Sequence, residues 1–126
     1  MENFKELSRE VIKQLTHFDY EHEMVLIATI KDKDIENMIG MARYVVNPDG
    51  QTCEVIVVVA DEWQKKKIAT NLMQSLIKIA QSKGLKAMTG MILSSDYVTL
   101  KLAKTLGFTI SSGDEPTVKM AIKILN

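Results

Sequence analysis

The sequence predicts a mixed α/β fold, in which one mixed β-sheet carries helices on its faces. Apolar, β-branched runs that are typical of strands alternate with stretches whose apolar residues recur at helical spacing, and glycine or proline turns separate them. A chain of 126 residues can bury one sizeable core. We therefore expect a single domain over residues 1–126.

The first half of the chain predicts one helix and three strands. Ser8–Leu15 is predicted helical, because Ser8 suits an N-cap and apolar residues follow at helical spacing. The strand-like runs are Met24–Lys31, Met38–Val46 and Thr52–Ala60. Asn47–Gly50 supplies turn residues, so a hairpin should join the second run to the third. The third run has almost no polar alternation after Glu54, which indicates a central strand.

The second half predicts two helices and three strands. From Gln64 the apolar residues follow helical spacing, and Gly84 marks the end of that helix. Ser95–Leu106 is predicted as the second helix, with Gly107 as its stop. The predicted strands are Lys86–Leu93, Phe108–Ile110 and Val118–Leu125.

Composition excludes several classes of protein. Lys+Arg and Asp+Glu balance at 16 each, which argues against a nucleic-acid-binding protein. The one cysteine, Cys53, allows neither an internal disulfide nor a CxxC zinc or redox pair. The charged N-terminus is unlike a signal peptide, and the apolar run Val55–Ala60 is too short to span a bilayer. We expect a cytoplasmic protein with no membrane partner.

One junction predicts an anion site. The central strand runs through Asp61–Thr70 into a helix, whose first N–H groups and partial positive charge can hold a phosphate. Lys65, Lys66 and Lys67 would add charge there. The alternative is a solvated lysine run, since lysines in a first turn oppose the helix dipole.

This junction resembles the pyrophosphate motif of the GNAT superfamily of acyl-CoA-dependent N-acyltransferases. Gln64 and Ala69 match that motif, whereas Lys67 stands in place of a glycine. Asp96–Phe108 is similar to the family's second cofactor segment: it ends in Leu-Gly-Phe and has Asp96 where asparagine is usual. Ala103 stands where many members carry a tyrosine general acid, so that role cannot be transferred.

Within the superfamily, the chain looks most like the C-terminal acetyltransferase domain of bacterial protein-lysine acetyltransferases. The matching segments are Phe18–Tyr20, Glu23-Met24, Ala42–Tyr44 and Val57–Asp61. The resemblance implies a GNAT-like central mixed sheet that is splayed between the fourth and fifth strands and flanked by helices. The N-terminal strand should be abbreviated or absent, because residues 1–7 are short and polar.

The same resemblance implies an activity and a set of site residues. The activity is acetyl transfer from acetyl-CoA to a primary amine, such as a protein lysine, by direct attack in a ternary complex. Glu54 would act as general base, with a pKa raised by apolar neighbours; alternatively, Glu54 lies in solvent opposite Arg43. The implied cofactor-binding residues are Val57, Val59, Gln64, Lys65, Lys66, Lys67, Ile68, Ala69, Thr70 and Asp96.

Other chemistries fit the sequence less well. His17 and His22 lie among acidic residues, but they lack a metal-ligand spacing, and we expect no metal. Strand alternation places Cys53 on the face opposite Glu54, which favours a buried core cysteine over a nucleophile. The alternative function is a non-catalytic acyl-CoA sensor or a GNAT-shaped interaction module. A homodimer is compatible with the sequence.

Overall fold

The computed structural model describes residues 11–15, 22–60 and 67–126. Its strands are β1 Val11–Leu15, β2 Glu23–Asp32, β3 Ile35–Val46, β4 Thr52–Val59, β5 Ala87–Leu93, β6 Thr109–Ser112 and β7 Val118–Ile124, and its helices are α1 Ile68–Ser82 and α2 Tyr97–Thr105. Hydrogen-bonded neighbours follow the order β1-β2-β3-β4-β5-β7-β6. β4 and β5 are parallel, whereas β1–β2, β5–β7 and β6–β7 are antiparallel. The predicted mixed sheet is confirmed.

The helix predicted over Ser8–Leu15 is wrong for the residues that the structure describes. Val11–Leu15 is a strand that pairs with β2 from Val11–Thr29 to Leu15–Val25; residues 8–10 lie outside the described ranges. Apolar residues at positions 11, 12 and 15 suit a helix locally, but pairing with β2 satisfies the backbone of this segment instead. The expectation of an abbreviated or absent N-terminal strand concerned residues 1–7, which lie outside the described ranges, and it stays a prediction.

The turn between β2 and β3 is tighter than the sequence predicts. The polar stretch after Lys31 is mostly strand, and Lys33 and Asp34 alone form the turn, with φ of 51° and 70°. Positive φ at both central residues is the geometry of a type I′ hairpin turn. The sequence lacks the Asn-Gly pair that usually signals such a turn.

The hairpin predicted at Asn47–Gly50 is confirmed. The carboxylate of Asp49 accepts hydrogen bonds from the N–H groups of Gln51 and Thr52, at 2.8 and 2.9 Å. These bonds lower the pKa of Asp49, because they stabilise its charged form. The N–H of Asn47 donates to the carbonyl of Thr52 and closes the turn at 2.8 Å.

Residue contacts group the chain into two compact units. One contains the described residues up to Tyr44 together with Ile56–Leu76, and the other contains Val45–Val55 together with Ile77–Asn126. The single domain expected over residues 1–126 stays a prediction. No helix among the described residues is both long and apolar enough to cross a membrane.

In the first unit, a glycine lets α1 pack closely on the strands. A Cβ built at Gly40 would lie 3.1 Å from Leu72 Cδ1, 3.2 Å from Ile68 Cγ2 and 3.4 Å from the carbonyl oxygen of Val58. Ile68 and Leu72 are buried there. Gly40 therefore sets how near the first turn of α1 comes to β3 and β4.

In the second unit, both helices end as the sequence predicts. Gly84 and Gly107 follow α1 and α2 with φ of 80° and 93°. Beyond each glycine an amide reaches back to the last helical turn, Leu85 to the carbonyl of Ala80 and Phe108 to that of Ala103, at 3.1 and 2.9 Å. Leu85 and Phe108 are buried, so each stop also fixes an apolar contact.

Candidate functional site

Glu54 lies at the end of the parallel ladder between β4 and β5. That ladder pairs Thr52 with Ala87, Cys53 with Met88 and Glu54 with Thr89. β4 continues to Val59 and β5 to Leu93, but residues after Glu54 and Thr89 take no part in the ladder. The short ladder agrees with the expected splay of the sheet after this point.

The side chain of Glu54 is exposed, so the predicted enclosure by apolar neighbours is not found. No side chain or amide in the described ranges forms a hydrogen bond or ion pair with this carboxylate. A solvent-facing Glu54 was the alternative that the sequence left open. The carboxylate is therefore available to an incoming amine or to a water molecule.

Arg43 does not lie opposite Glu54, although the alternative of a solvent-exposed Glu54 placed it there. The terminal bonds of the β3–β4 hairpin, from Asn47 N–H to Thr52 C=O and from Ala60 N–H to Ile39 C=O, set a register that places Val45 across from Glu54. Arg43 Nε instead donates to Glu23 Oε2 on β2. The negative charge of Glu54 is thus not neutralised by Arg43.

In the first unit, the N-terminus of α1 forms an arrangement that can hold an anion. Lys67 has a φ of 63°, and its carbonyl accepts the first helical bond, from Asn71 N–H at 3.0 Å. The N–H groups of Ile68, Ala69 and Thr70 precede that bond and have no partner within the helix. A left-handed residue before helical N–H groups that lack an acceptor within the described helix suits an anion such as a pyrophosphate.

Lys67, which stands in place of the motif's glycine, adopts a left-handed conformation. A non-glycine residue there is strained by about 1–2 kcal/mol. The side chain of Lys67 is exposed, whereas Ile68, the first residue of α1, is buried. The left-handed residue before α1 therefore carries a side chain, and the predicted cofactor role of this loop stays a prediction.

Several predicted residues lie outside the described ranges, namely Gln64, Lys65 and Lys66, and also His17 with its acidic neighbours. Val57 and Val59 lie on β4, where Val59 is buried. Whether their main-chain groups bind the pantetheine arm stays a prediction. No cluster of three or more metal-ligating side chains occurs among the described residues.

Asp96 caps α2. Its carboxylate accepts from the Thr99 N–H at 3.1 Å and from the Thr99 hydroxyl at 2.7 Å, a standard N-cap arrangement. The capping role alone explains why residue 96 has a side chain with an oxygen acceptor, and it requires no cofactor. Its predicted contact with the cofactor stays a prediction.

Cys53 is fully buried on the face opposite Glu54, as predicted for a core cysteine. Burial raises the pKa of its thiol to about 11. A thiol that stays protonated in the core is a poor nucleophile. Alternation of side chains along β4 was enough to predict from the sequence that Cys53 is buried.

Sequence reasoning missed Thr89, the neighbour of Glu54 on β5. Its hydroxyl is 3.4 Å from the carbonyl oxygen of Cys53, to which it donates. Only the register of the parallel pair brings Thr89 to the site, and pairing between strands distant in sequence leaves no local signal.

Comparison with known proteins identifies a common family. The profile of the Acetyltransferase (GNAT) family matches residues 2–108. An acetyltransferase of Pseudomonas aeruginosa is 28% identical over 104 residues, which are 82% of this chain and 56% of that protein. The chain therefore spans little more than half the length of this relative.

Solved structures agree with the fold. The GNAT domain of S. lividans PAT superposes with a TM-score of 0.76 at 22% identity, over 87% of this chain and 65% of that one. The protein yncA of Salmonella typhimurium, solved with its cofactor acetyl-CoA, gives a TM-score of 0.68 at 23% identity, over 82% of this chain and 65% of that one. At these identities, the likeness is one of fold.

Proposed function

Because the chain belongs to the Acetyltransferase (GNAT) family, we propose that it transfers an acetyl group from acetyl-CoA to a primary amine, with a protein lysine as the acceptor. The observation that carries this proposal is Glu54, an exposed carboxylate at the end of the β4–β5 ladder without a partner in the described ranges. The acetyl-CoA complex of yncA supports the choice of the acetyl donor, and the lysine acceptor follows from the resemblance of the sequence to bacterial protein-lysine acetyltransferases.

The chemistry assigned to Glu54 is removal of one proton from the acceptor ammonium, directly or through a water molecule. An alkylamine is almost wholly protonated near pH 7, so without a base its nitrogen cannot attack. The neutral nitrogen then forms a C–N bond with the thioester carbonyl carbon. As the C–S bond breaks, the thiolate of CoA leaves and accepts the second proton from the nitrogen.

Binding of the second substrate, acetyl-CoA, is assigned to the N-terminus of α1. The N–H groups of Ile68, Ala69 and Thr70 would hold the pyrophosphate, helped by the positive end of the helix. A strand N–H of β4 would stabilise the negative charge that develops on the thioester oxygen. Gln64, Lys65, Lys66 and Asp96 keep their cofactor roles as proposals.

The test is acetyl transfer to a lysine peptide, followed by mass spectrometry, together with the thermal shift that acetyl-CoA produces. We expect a mass increase of about 42 Da, because an acetyl group replaces one hydrogen, and a rise in melting temperature, because a ligand that binds only the folded state stabilises it. A chain that neither binds acetyl-CoA nor acetylates any amine would contradict the proposal.

A non-catalytic acyl-CoA sensor is the second candidate. It is favoured by Lys67 in the phosphate-binding turn and by Ala103, which is buried in α2 where many members of the family carry a tyrosine. A sensor would show the thermal shift without the mass increase. The same two measurements therefore separate the candidates.

A further inference from the structure

The second unit has a sheet face of unusual composition around Glu54. Residues paired across neighbouring strands point to the same face, so Glu54 shares its face with Thr89, and Thr89 shares it with Ile122. Alternation adds Met91 and Leu93 of β5 and Ile124 of β7. We call these six residues the Glu54 face.

Large apolar side chains on this face are open to solvent. The exposed fractions are 70% for Met91, 61% for Leu93, 40% for Ile122 and 65% for Ile124. The opposite face of the same strands is buried through Cys53, Met88, Ile92 and Ala121. Contiguous exposed apolar surface on a folded protein marks a surface that binds something.

Charge on this face comes from one residue. Among the described strand residues of the second unit that point to this side, Glu54 alone is charged, and the others are aliphatic, methionine, threonine or serine. The lysines of β7, Lys119 and Lys123, alternate to the other side. A ligand that matches this pattern carries one positive charge on an otherwise apolar body.

We propose that the acceptor is a peptide segment in which a lysine is flanked by apolar, uncharged residues, and that the Glu54 face binds those flanks. The inference rests on the proposed function, since it is Glu54 that receives the lysine. A base can act only on an amine that approaches from its own side of the sheet. The acceptor must therefore pass over the exposed apolar side chains.

Strand spacing sets where the apolar flanks should lie. Glu54, Thr89 and Ile122 form one row across three neighbouring strands, so Ile122 lies about 10 Å from Glu54. An extended peptide advances about 3.3 Å per residue, so 10 Å corresponds to roughly three residues. Alternate side chains of an extended peptide share one face, so apolar side chains two and four positions from the lysine, about 7 and 13 Å away, bracket this distance and should contribute most.

The experiment uses three peptides with a single lysine and with leucine, aspartate or arginine two and four positions away on both sides. With the whole chain at saturating acetyl-CoA, we expect kcat/KM for the leucine peptide to exceed those for both charged peptides by roughly tenfold, as partial burial of two of the leucines implies. Equal values for the three peptides would overturn the inference.

Two variants test whether this surface is responsible. Ile122→Thr and Ile124→Thr keep a β-branched side chain on the strand but make it polar, and they should raise KM for the leucine peptide while KM for acetyl-CoA stays the same. Ile35→Thr is the matched control, because Ile35 is 63% exposed beside the β2–β3 turn. An unchanged preference for leucine in both face variants would overturn the inference.

Binding without turnover separates this inference from the proposed function. Fluorescence anisotropy of the labelled peptides should show the same leucine preference, and its loss in the two variants, even if no acetyl group is transferred. In that case the proposed function fails, whereas the assignment of the Glu54 face as the surface that binds the apolar flanks stands. A dimer at assay concentrations that the same variants dissociate would instead show that a second copy covers the face, and the inference would be wrong.

Discussion

Glu54 and Thr89 form the last pair of the parallel ladder between β4 and β5, and their side chains point to the same face of the sheet. The pair marks where the ladder stops, and the Glu54 carboxylate there has no partner among the residues that the structure describes. The local sequence around Glu54 identifies the carboxylate, whereas the surface around it depends on residues more than 30 positions away.

Replacing Lys67 by glycine tests the anion site at the start of α1. Glycine removes the strain of a positive φ and lets the backbone N–H groups approach a phosphate. A hydrogen bond to a charged group contributes about 1.5–3 kcal/mol, whereas an exposed lysine charge contributes at most about 1 kcal/mol. We therefore expect Lys67→Gly to lower Kd for acetyl-CoA several-fold, measured by isothermal titration calorimetry.

Two further substitutions serve as controls for Lys67→Gly. Lys67→Asn tolerates a positive φ but keeps a side chain, so it should recover stability without a gain in affinity. Lys67→Ala removes the charge and keeps the strain, so its Kd should rise. Tighter binding in wild type than in Lys67→Gly would show that the lysine charge outweighs the backbone contacts.

Gly40→Ala tests the close packing of α1 on β3. The added methyl meets Leu72 Cδ1 at 3.1 Å and Ile68 Cγ2 at 3.2 Å, so the first turn of α1 must shift. Overpacking of this kind costs about 1–3 kcal/mol. Urea unfolding should report that loss, and Kd for acetyl-CoA should rise because the N–H groups of α1 move with the helix.

A second substitution distinguishes overpacking from a backbone effect at Gly40. Leu72→Val removes Cδ1, so combined with Gly40→Ala it should recover part of the lost affinity for acetyl-CoA. No recovery in the double variant would argue against this contact as the cause.

The β2–β3 turn offers a prediction on stability alone. Lys33→Asn with Asp34→Gly supplies the residues that prefer positive φ at both positions, and should raise the free energy of unfolding by about 1 kcal/mol. The lost ion pair between Lys31 and Asp34 is exposed and contributes little. An unchanged urea midpoint would mean that this turn is not strained.

Cys53 should react with thiol reagents only after the second unit opens. Burial raises the pKa of its thiol to about 11, so the folded state keeps the proton when an unfolded chain has lost it. Its contribution to stability is thus complete below about pH 9 and is lost as the pH rises toward 11. Iodoacetamide at pH 8 should label native protein slowly and urea-unfolded protein rapidly.

Cys53→Ala isolates this effect from other groups that titrate at high pH. The variant should lose about 1 kcal/mol to the cavity that it creates. Its stability should then fall less steeply than that of wild type between pH 9 and 11. Parallel pH profiles for the two proteins would contradict the assignment.

Much of the fold could be predicted because its signals are local. Gly84 and Gly107 end helices whose apolar spacing is clear, and alternation along β4 assigns Cys53 to the core. The helix predicted over Ser8–Leu15 failed because the apolar residues Val11, Ile12 and Leu15 fit either structure locally, and pairing with β2 decided which one forms.

The surroundings of Glu54 could not be predicted, because they depend on pairing between strands that are distant in sequence. Its exposure depends on which side of the sheet the helices cover, and the partner of Arg43 depends on strand register. Both are set by pairing between distant segments, about which the sequence near Glu54 carries no information.

The most direct test of the account is the rate of acetyl transfer by Glu54→Gln, compared with wild type and with Glu115→Gln, an exposed control that loses the same charge. At saturating acetyl-CoA and pH 7, loss of a general base should lower kcat by roughly 100-fold or more, with Kd for acetyl-CoA unchanged and with a rate that recovers as rising pH supplies neutral amine. A Glu54→Gln variant that keeps the wild-type kcat at pH 7 would contradict the account.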